Sequence, residues 1–340
     1  MMMRVYQIPK PGDIDGLTLC EAPTPKPGRG QVLVRMRAAS LNYRDLMVVT
    51  GRYARGEPLA DLVPLSDGAG EVAEIGPGVT RVKPGDRVAS IFMQTWLGGD
   101  IDPSDAASSL GGSIHGVLAE YVLFDQNGLV HLPSHLSFEE GATLPCAAVT
   151  AWNALYNGRP LLAGQSVLVL GTGGVSIFAL QLAHAAGARV IATSSSDAKL
   201  ARAKALGAND GVNYKQHPEW QQKVLALTGG RGVDHVLEVG GPGTLPRSIE
   251  ATQLGGQIHL IGVLGGGAGE INPTTAMRKG LILRGIYVGS RQMFEAMNRV
   301  IELHQLHPVI DRVFTFEDAK SAYRHMQGQS HVGKIVIKIE

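Results

Sequence analysis

Cysteine is scarce in this 340-residue sequence, which has only Cys20 and Cys146. Two thiols cannot form a disulfide framework, and they exclude a four-cysteine zinc lobe. An excess of one charge sign is lacking too: 31 Lys and Arg face 30 Asp and Glu, a formal net charge of +1. Aromatics make up only 5%. No basic stripe is interleaved with aromatic rings, so neither nucleic acid nor an anionic membrane surface is an expected partner. No run reaches the roughly 18 apolar residues that a membrane-spanning helix needs. The opening Met1-Met2-Met3-Arg4-Val5-Tyr6 has no apolar core of signal-peptide length. A reducing, cytoplasmic setting is the expectation.

What the chain has in excess is glycine, 44 residues, close to double the usual share. The glycines punctuate apolar runs and follow no collagen-like period, as many tight strand–helix turns require. The length suggests two domains. In the N-terminal part, Gln31 to Ala39 alternates as a half-buried strand does, with Val32, Val34 and Met36 on one face and Leu33, Arg35 and Arg37 on the other. Gly68 to Ile75, the turn Gly76-Pro77-Gly78-Val79 and Lys83-Pro84-Gly85-Asp86-Arg87-Val88 continue a β-rich pattern. Met93 to Gly116 is polar and rich in Gly and Ser, and predicts a long surface loop.

After about Pro145 the pattern changes to strands alternating with helices. Val167-Leu168-Val169-Leu170 is followed at once by glycines and a helical stretch to Ala186. Further strands are expected at Ala188 to Thr193, Val233 to Val239, Gln257 to Gly262 and Leu281 to Val288, with a helix at Lys199 to Leu206. This order predicts an α/β fold with a doubly wound parallel sheet and right-handed crossovers. The tail from Arg291 predicts an amphipathic helix, a second around Phe316 to Met326 and a closing strand Lys334 to Ile339, which resembles the first domain in character.

Within this pattern, about Ser166 to Gly262 reads as a Rossmann nucleotide-binding unit. Gly171-Thr172-Gly173-Gly174-Val175-Ser176 stands directly after a strand and opens a helix, where a dinucleotide fingerprint belongs. Gly171 permits the tight turn, Gly173 lets the backbone approach a pyrophosphate, and the helix N-terminus offers free N–H groups to it. Ser176 replaces the third fingerprint glycine. About 20 residues on, an acidic residue would bind a ribose 2′-OH. The sequence instead has Ser194-Ser195-Ser196, with Lys199 nearby. Hydroxyls and an ammonium suit a 2′-phosphate, which a carboxylate would repel. NADPH is therefore the expected cofactor. Asp197 lies late for the ribose role and equally suits a helix cap.

Several motifs resemble those of the medium-chain dehydrogenase/reductase superfamily, in its zinc-free quinone oxidoreductase-like branch. They are Ala39-Ser40-Leu41-Asn42-Tyr43-Arg44-Asp45-Leu46, Pro64-Leu65-Ser66-Asp67-Gly68-Ala69-Gly70-Glu71-Val72, Val82 to Val88, Leu144-Pro145-Cys146-Ala147-Ala148-Val149-Thr150-Ala151-Trp152, the glycine turn, and His331-Val332-Gly333-Lys334-Ile335-Val336. The resemblance implies a β-rich GroES-like catalytic domain at 1–146 and 287–340, and a Rossmann domain at 147–286. It also places Asn42, Ser66 and Cys146 where zinc alcohol dehydrogenases of the superfamily have their Cys, His and Cys ligands. A catalytic zinc needs about three good N or S ligands. Only Cys146 qualifies, so no metal is expected, and Cys146 reads as a small buried residue. His131 and His135 are separated by Pro133, and His304 and His307 lie in the tail; none reads as a ligand.

The resemblance further puts Asn42 and Tyr43 beside the nicotinamide and Tyr53 in the adjoining loop. Asn42 would donate its amide N–H₂ to a substrate or ribose oxygen; Tyr43 and Tyr53 have two readings, hydroxyl donors or packing residues. Arg44 and Asp45 read as a structural ion pair. Thr150 is implied near the nicotinamide, Lys199 and Tyr214 around the 2′-phosphate, and Gly240, Gly262 and Val263 at the ends of later strands. The function expected is hydride transfer from NADPH to a quinone or α,β-unsaturated carbonyl. The alternatives are a zinc-independent alcohol or aldehyde dehydrogenase, and an NADPH-binding protein with little turnover. A homodimer joined through edge strands near Leu281 to Val288 is implied as well.

Overall fold

A computed structural model describes residues 1–53 and 59–340. The chain divides into two compact units, residues 1–149 with 289–340, and residues 150–288. In chain order, β1 (Met2–Gln7) and β2 (Thr18–Pro23) form an antiparallel ribbon. The strand β3 (Gln31–Leu41) runs into helix α1 (Tyr43–Val49), and β4 (Asp67–Ile75), β5 (Arg87–Ser90), β6 (Tyr121–Asp125) and β7 (Leu129–His131) follow.

The second unit holds β8 (Ser166–Leu170), α2 (Gly174–Ala185), β9 (Arg189–Ser194), α3 (Asp197–Ala205), β10 (Asp210–Asn213), β11 (Val233–Glu238), β12 (Thr252–Leu260) and β13 (Ile282–Gly285). The chain then returns to the first unit with a helix Arg291–Leu303, β14 (Ile310–Phe314), a helix Ala319–Gln327 and β15 (Lys334–Lys338).

The first unit is built on β3, the longest strand, with apolar side chains at Val32, Val34, Met36, Ala39 and Leu41 in the core. Among the described residues its sheet runs β14-β15-β3-β4-β5-β7, with β6 also on β3. The tail strand β15 pairs antiparallel with the C-terminal end of β3, Ile335 opposite Leu41 and Val336 opposite Ser40. On the other side of β3, Ser40 lies opposite Asp67 of β4. These two registers carry Lys334 and Asp67 to the point where β3 gives way to α1.

The segment from Met93 to Gly116 departs from the expected surface loop. Met93, Trp96, Ser109 and Leu110 are buried, and Met93 bridges Ser109. The apolar residues are widely spaced in a polar stretch, so their anchoring shows only after folding.

The second unit has the order β10-β9-β8-β11-β12-β13 among the described residues, with every pairing parallel. This is a doubly wound nucleotide-binding topology, in which the strand order reverses beside β8. The central strand β8 is buried throughout, with an apolar run from Val167 to Leu170, while its neighbour β11, also buried throughout, carries Asp234, His235 and Glu238. Among the described residues no helix is long and apolar enough to cross a membrane.

Candidate functional site

In the second unit the C-terminal ends of β8, β9, β11 and β12 bring the expected cofactor residues to one edge of the sheet. Gly171 follows β8 directly, with φ of 73°, a left-handed conformation that strains any residue with a Cβ. Its N–H donates to Thr193 Oγ1 at 3.3 Å, tying the turn to β9. Gly173, the N-cap of α2, has ordinary extended backbone, φ of −75°, and a Cβ there would meet nothing within 4 Å. Neither conformation nor internal packing demands glycine at 173. The expectation for Gly173 is backbone approach by a ligand at the N-terminus of α2, whose first amides have no partner within the helix. Ser176, in the third fingerprint position, is buried and donates its hydroxyl to Leu170 O at 2.7 Å. The serine ties α2 to β8, the close packing the third glycine would otherwise provide. Thr172 is buried; Gly174 and Val175, in the first turn of α2, are half-buried.

Ser194 is buried at the end of β9, and Ser195 and Ser196 are half-buried beyond it. Ser196 is the N-cap of α3, and Lys199 lies in its first turn, half-buried. Tyr214 is 40% exposed and donates its backbone N–H to Ser194 O. Asp197, the nearest carboxylate, accepts from Asn213 Nδ2 and Gln216 Nε2, each at 2.8 Å. Both of its oxygens therefore have partners on the β10 side. Gly240 follows β11, and Gly262 and Val263 follow β12; Val263 is 43% exposed. Thr150 is buried in the helix Val149–Tyr156.

One residue of this edge had no place in the sequence reading. Glu238, buried at the end of β11, accepts from Gly240 N at 2.8 Å, Gly241 N at 3.1 Å, Thr244 Oγ1 at 2.5 Å and the Ser248 hydroxyl. It holds the loop that presents Gly240. The signal was a carboxylate immediately before Val-Gly-Gly.

The first unit carries a second constellation around the start of α1. Asp45 Oδ2 accepts from the Asn42 backbone N–H at 2.8 Å. The Asn42 side chain faces Lys334, whose Nζ donates to Asn42 Oδ1 at 2.6 Å and to Leu41 O at 2.7 Å. Lys334 is buried, and its Nζ lies 3.6 Å from Oδ2 of Asp67, which is fully buried. Asp67 also accepts from the Ser66 hydroxyl at 2.6 Å and the Cys146 backbone N–H at 3.1 Å. Leu65, just before Ser66, has φ of 68°, a strained conformation for a residue with a side chain. It is overdetermined by Gly111 and Gly116, which would clash with its backbone if they carried a Cβ. Asn42 Nδ2 is buried and has no hydrogen-bond partner among the described residues.

Tyr43 and Tyr53 pack, partly buried, on the core of this unit. Arg44 pairs with Asp45 at 3.1 Å, donates to Leu110 O at 2.7 Å, and lies 4.6 Å from the Phe92 ring centre and 5.7 Å from that of Tyr53. Burial raises the Asp45 carboxyl above its ordinary range, with the Arg44 guanidinium opposing.

Residues 28–134 match the alcohol dehydrogenase GroES-like domain family, and residues 174–302 match the zinc-binding dehydrogenase family. A zinc-type alcohol dehydrogenase-like protein of Schizosaccharomyces pombe, C1773.06c, is 47% identical over 92% of this chain and 91% of its own length. The chain belongs to the medium-chain dehydrogenase/reductase superfamily. A solved structure described as an NAD-dependent alcohol dehydrogenase matches with a TM-score of 0.91 at 35% identity, covering 99% of this chain and 100% of its own. A quinone oxidoreductase of Pongo abelii is 28% identical over 99% of this chain and 98% of its own length. Like other members of the superfamily, the chain is an oxidoreductase for which a nicotinamide cofactor is expected, and the glycine turn suits one.

Superfamily membership makes zinc the metal to test against these side chains. The structure brings Asn42, Ser66 and Cys146 around Asp67 and Lys334, and their chemistry does not fit the ion. Asn42 Oδ1 is held by an ammonium, and the Ser66 hydroxyl donates to a carboxylate. Burial, and then the neighbouring Asp67, push the Cys146 thiol well above its ordinary range, with Lys334 opposing. A zinc ligand set needs neutral or anionic donors, and a cysteine among them must be a thiolate; an ammonium in their midst repels a dication. Three of the four histidines named above have other partners: His131 with Asp86, His135 with Leu306 O, and His307 with Glu140; His304 is the C-cap of the helix Arg291–Leu303. Among the described residues no group of three or more His, Cys, Asp or Glu side chains is gathered for a metal.

Proposed function

We propose that this oxidoreductase transfers a hydride from NADPH to a quinone or α,β-unsaturated carbonyl without a catalytic metal. The observation that carries the reading is the buried, unpartnered Asn42 Nδ2 beside the Lys334–Asp67 pair. A buried donor without an acceptor is costly, and a substrate oxygen gaining negative charge is the acceptor that would satisfy it. When bound, NADPH would supply a hydride to the carbon β to the carbonyl; the C=C pair would shift into the bond between the α-carbon and the carbonyl carbon, the C=O pair would move onto the oxygen, and NADP⁺ would remain. Asn42 then stabilises that oxygen as an enolate or phenolate until it takes a proton from water, and it keeps its own protons. Alcohol oxidation is the less supported reaction, because alkoxide formation near neutral pH is what a bound zinc assists.

The preference for NADPH is supported by the serines at the end of β9, by Lys199, and by the commitment of both Asp197 oxygens to other residues. The edge position of β13, with Ile282 and Leu283 42% and 40% exposed, supports a homodimer joined through that strand.

A panel of quinones, enones and alcohols, assayed with NADPH, NADH, NADP⁺ and NAD⁺, tests the function. NADPH oxidation with a quinone or enone is the expected outcome. Alcohol-dependent reduction of either oxidised cofactor, with no enone or quinone turnover, would replace the reading by a dehydrogenase. Tight binding with neither reaction would leave a cofactor-binding protein. Stoichiometric zinc in protein prepared without added metal would overturn the metal-free part.

A further inference from the structure

We infer that Lys334 supplies the positive charge of this site and acts through the Asn42 amide, making Asn42 Nδ2 a fixed, strengthened donor to the substrate oxygen. The inference rests on the reductase reading above and extends it to a positioning residue. An ammonium carries three donors and no acceptor. The Asn42 atom 2.6 Å from it is therefore Oδ1, and the N–H₂ group is necessarily on the opposite side of the amide. The amide cannot flip without setting donor against donor.

Lys334 is itself fixed. It donates to Leu41 O, and its charge is balanced by Asp67, which the Ser66 hydroxyl and the Cys146 N–H hold in turn. Leu41 and Asn42 lie where β3 meets α1, so one ammonium secures both the backbone turn and the side chain. Held this way, Lys334 reaches a substrate only through Asn42. Hydrogen bonding to a cation polarises the amide carbonyl and strengthens its N–H donors, more so in a buried setting. Charge is thereby delivered at the ligand positions of the zinc relatives, with no metal and no proton transfer.

The probe is 4-nitrophenol, whose coloured anion stands in for an enolate or phenolate. It is titrated spectroscopically against the wild type, Lys334→Met, Asn42→Ala and the double variant, with NADPH affinity measured alongside. Wild type is expected to bind the anion in preference to the neutral phenol. Lys334→Met should weaken anion binding by about 10- to 100-fold, the range for a charge-assisted hydrogen bond, with NADPH affinity unchanged. The double variant should bind no more weakly than Asn42→Ala alone, because the two residues act as one unit. The turnover number with a quinone or enone should fall in the same order.

Wild-type binding retained in Lys334→Met, additive losses in the double variant, or no preference for the anion in the wild type would each overturn the inference. Lys334→Met leaves Asp67 buried without its counter-charge. If it does not fold, Lys334→Met with Asp67→Asn is compared with Asp67→Asn alone, and the same outcomes apply. Anion binding is read without turnover. A wild type that binds the anion through Lys334 and Asn42 yet reduces nothing would refute the reductase reading and leave the Lys334 assignment standing.

Discussion

Acid should weaken the second unit through two buried histidines. His235 of β11 and His259 of β12 lie on neighbouring parallel strands, with rings 5.4 Å apart and nearly parallel. His235 Nε2 contacts Gln165 Oε1 at 3.2 Å, which requires an N–H there, and His235 Nδ1 contacts His259 Nε2 at 3.1 Å. The consistent assignment has both rings neutral, His259 Nε2–H donating to His235 Nδ1. A proton on His235 Nδ1 would set two N–H groups against each other. Burial lowers His235 from 6.5 to about 4, with Asp234 opposing, and lowers His259 to about 3, with His235 and Arg284 adding to the effect.

Between the ordinary value of 6.5 and these folded values, the unfolded chain holds more protons than the folded one. Stability therefore falls as pH falls, by about 1.4 kcal/mol per pH unit for each imidazole. From pH 7 to pH 5 this amounts to about 2 kcal/mol per histidine, about 4 kcal/mol in all.

A two-unit chain need not unfold in one step, so the local readout is amide exchange in peptides covering β11 and β12, corrected for intrinsic rates. Wild type should lose about 4 kcal/mol more protection over this range than a His235→Gln/His259→Gln variant, in which carboxylate titrations are retained. Equal losses in the two proteins would show that the imidazoles are not held neutral and would refute the reasoning.

Gly173→Ala should leave the thermal midpoint of the free protein almost unchanged, because its Cβ meets nothing. The same change should weaken NADPH at least tenfold by obstructing backbone approach; calorimetry with equal affinities would remove Gly173 from the phosphate site. Lys199→Ala should weaken NADPH about 10- to 100-fold, as loss of a charge-assisted contact to a phosphate does, and should change NADH little. Equal losses for both cofactors would exclude a 2′-phosphate contact. Leu283→Lys on the exposed face of β13 should shift gel filtration from a mass of two chains to one; a wild type that already elutes as one chain contradicts the dimer.

Much of the second unit was legible because its signals are local. The apolar run Val167 to Leu170, the glycine at a left-handed position and the helix beyond it depend on neighbours in sequence. β10 escaped notice because Asp210-Gly211-Val212-Asn213 has no strand pattern; pairing with β9 makes it a strand. Ser176 looked like a compromised glycine, and only its bond to Leu170 O shows how it keeps helix and strand together.

The site in the first unit divides in the same way. The residue types Asn42, Ser66 and Cys146 were enough to cast doubt on a zinc ligand set, because ligand chemistry belongs to the side chain itself. What replaces that set was not readable along the chain. Lys334 and Asn42 are 292 positions apart and meet only because β15 adds to the edge of β3, while β4 brings Asp67 to its other side. The sequence determined the local turns, the periodicities and the donor chemistry. The sheet registers decided which donors meet and which polar atom is left without a partner, because strand pairing joins residues without regard to their separation along the chain.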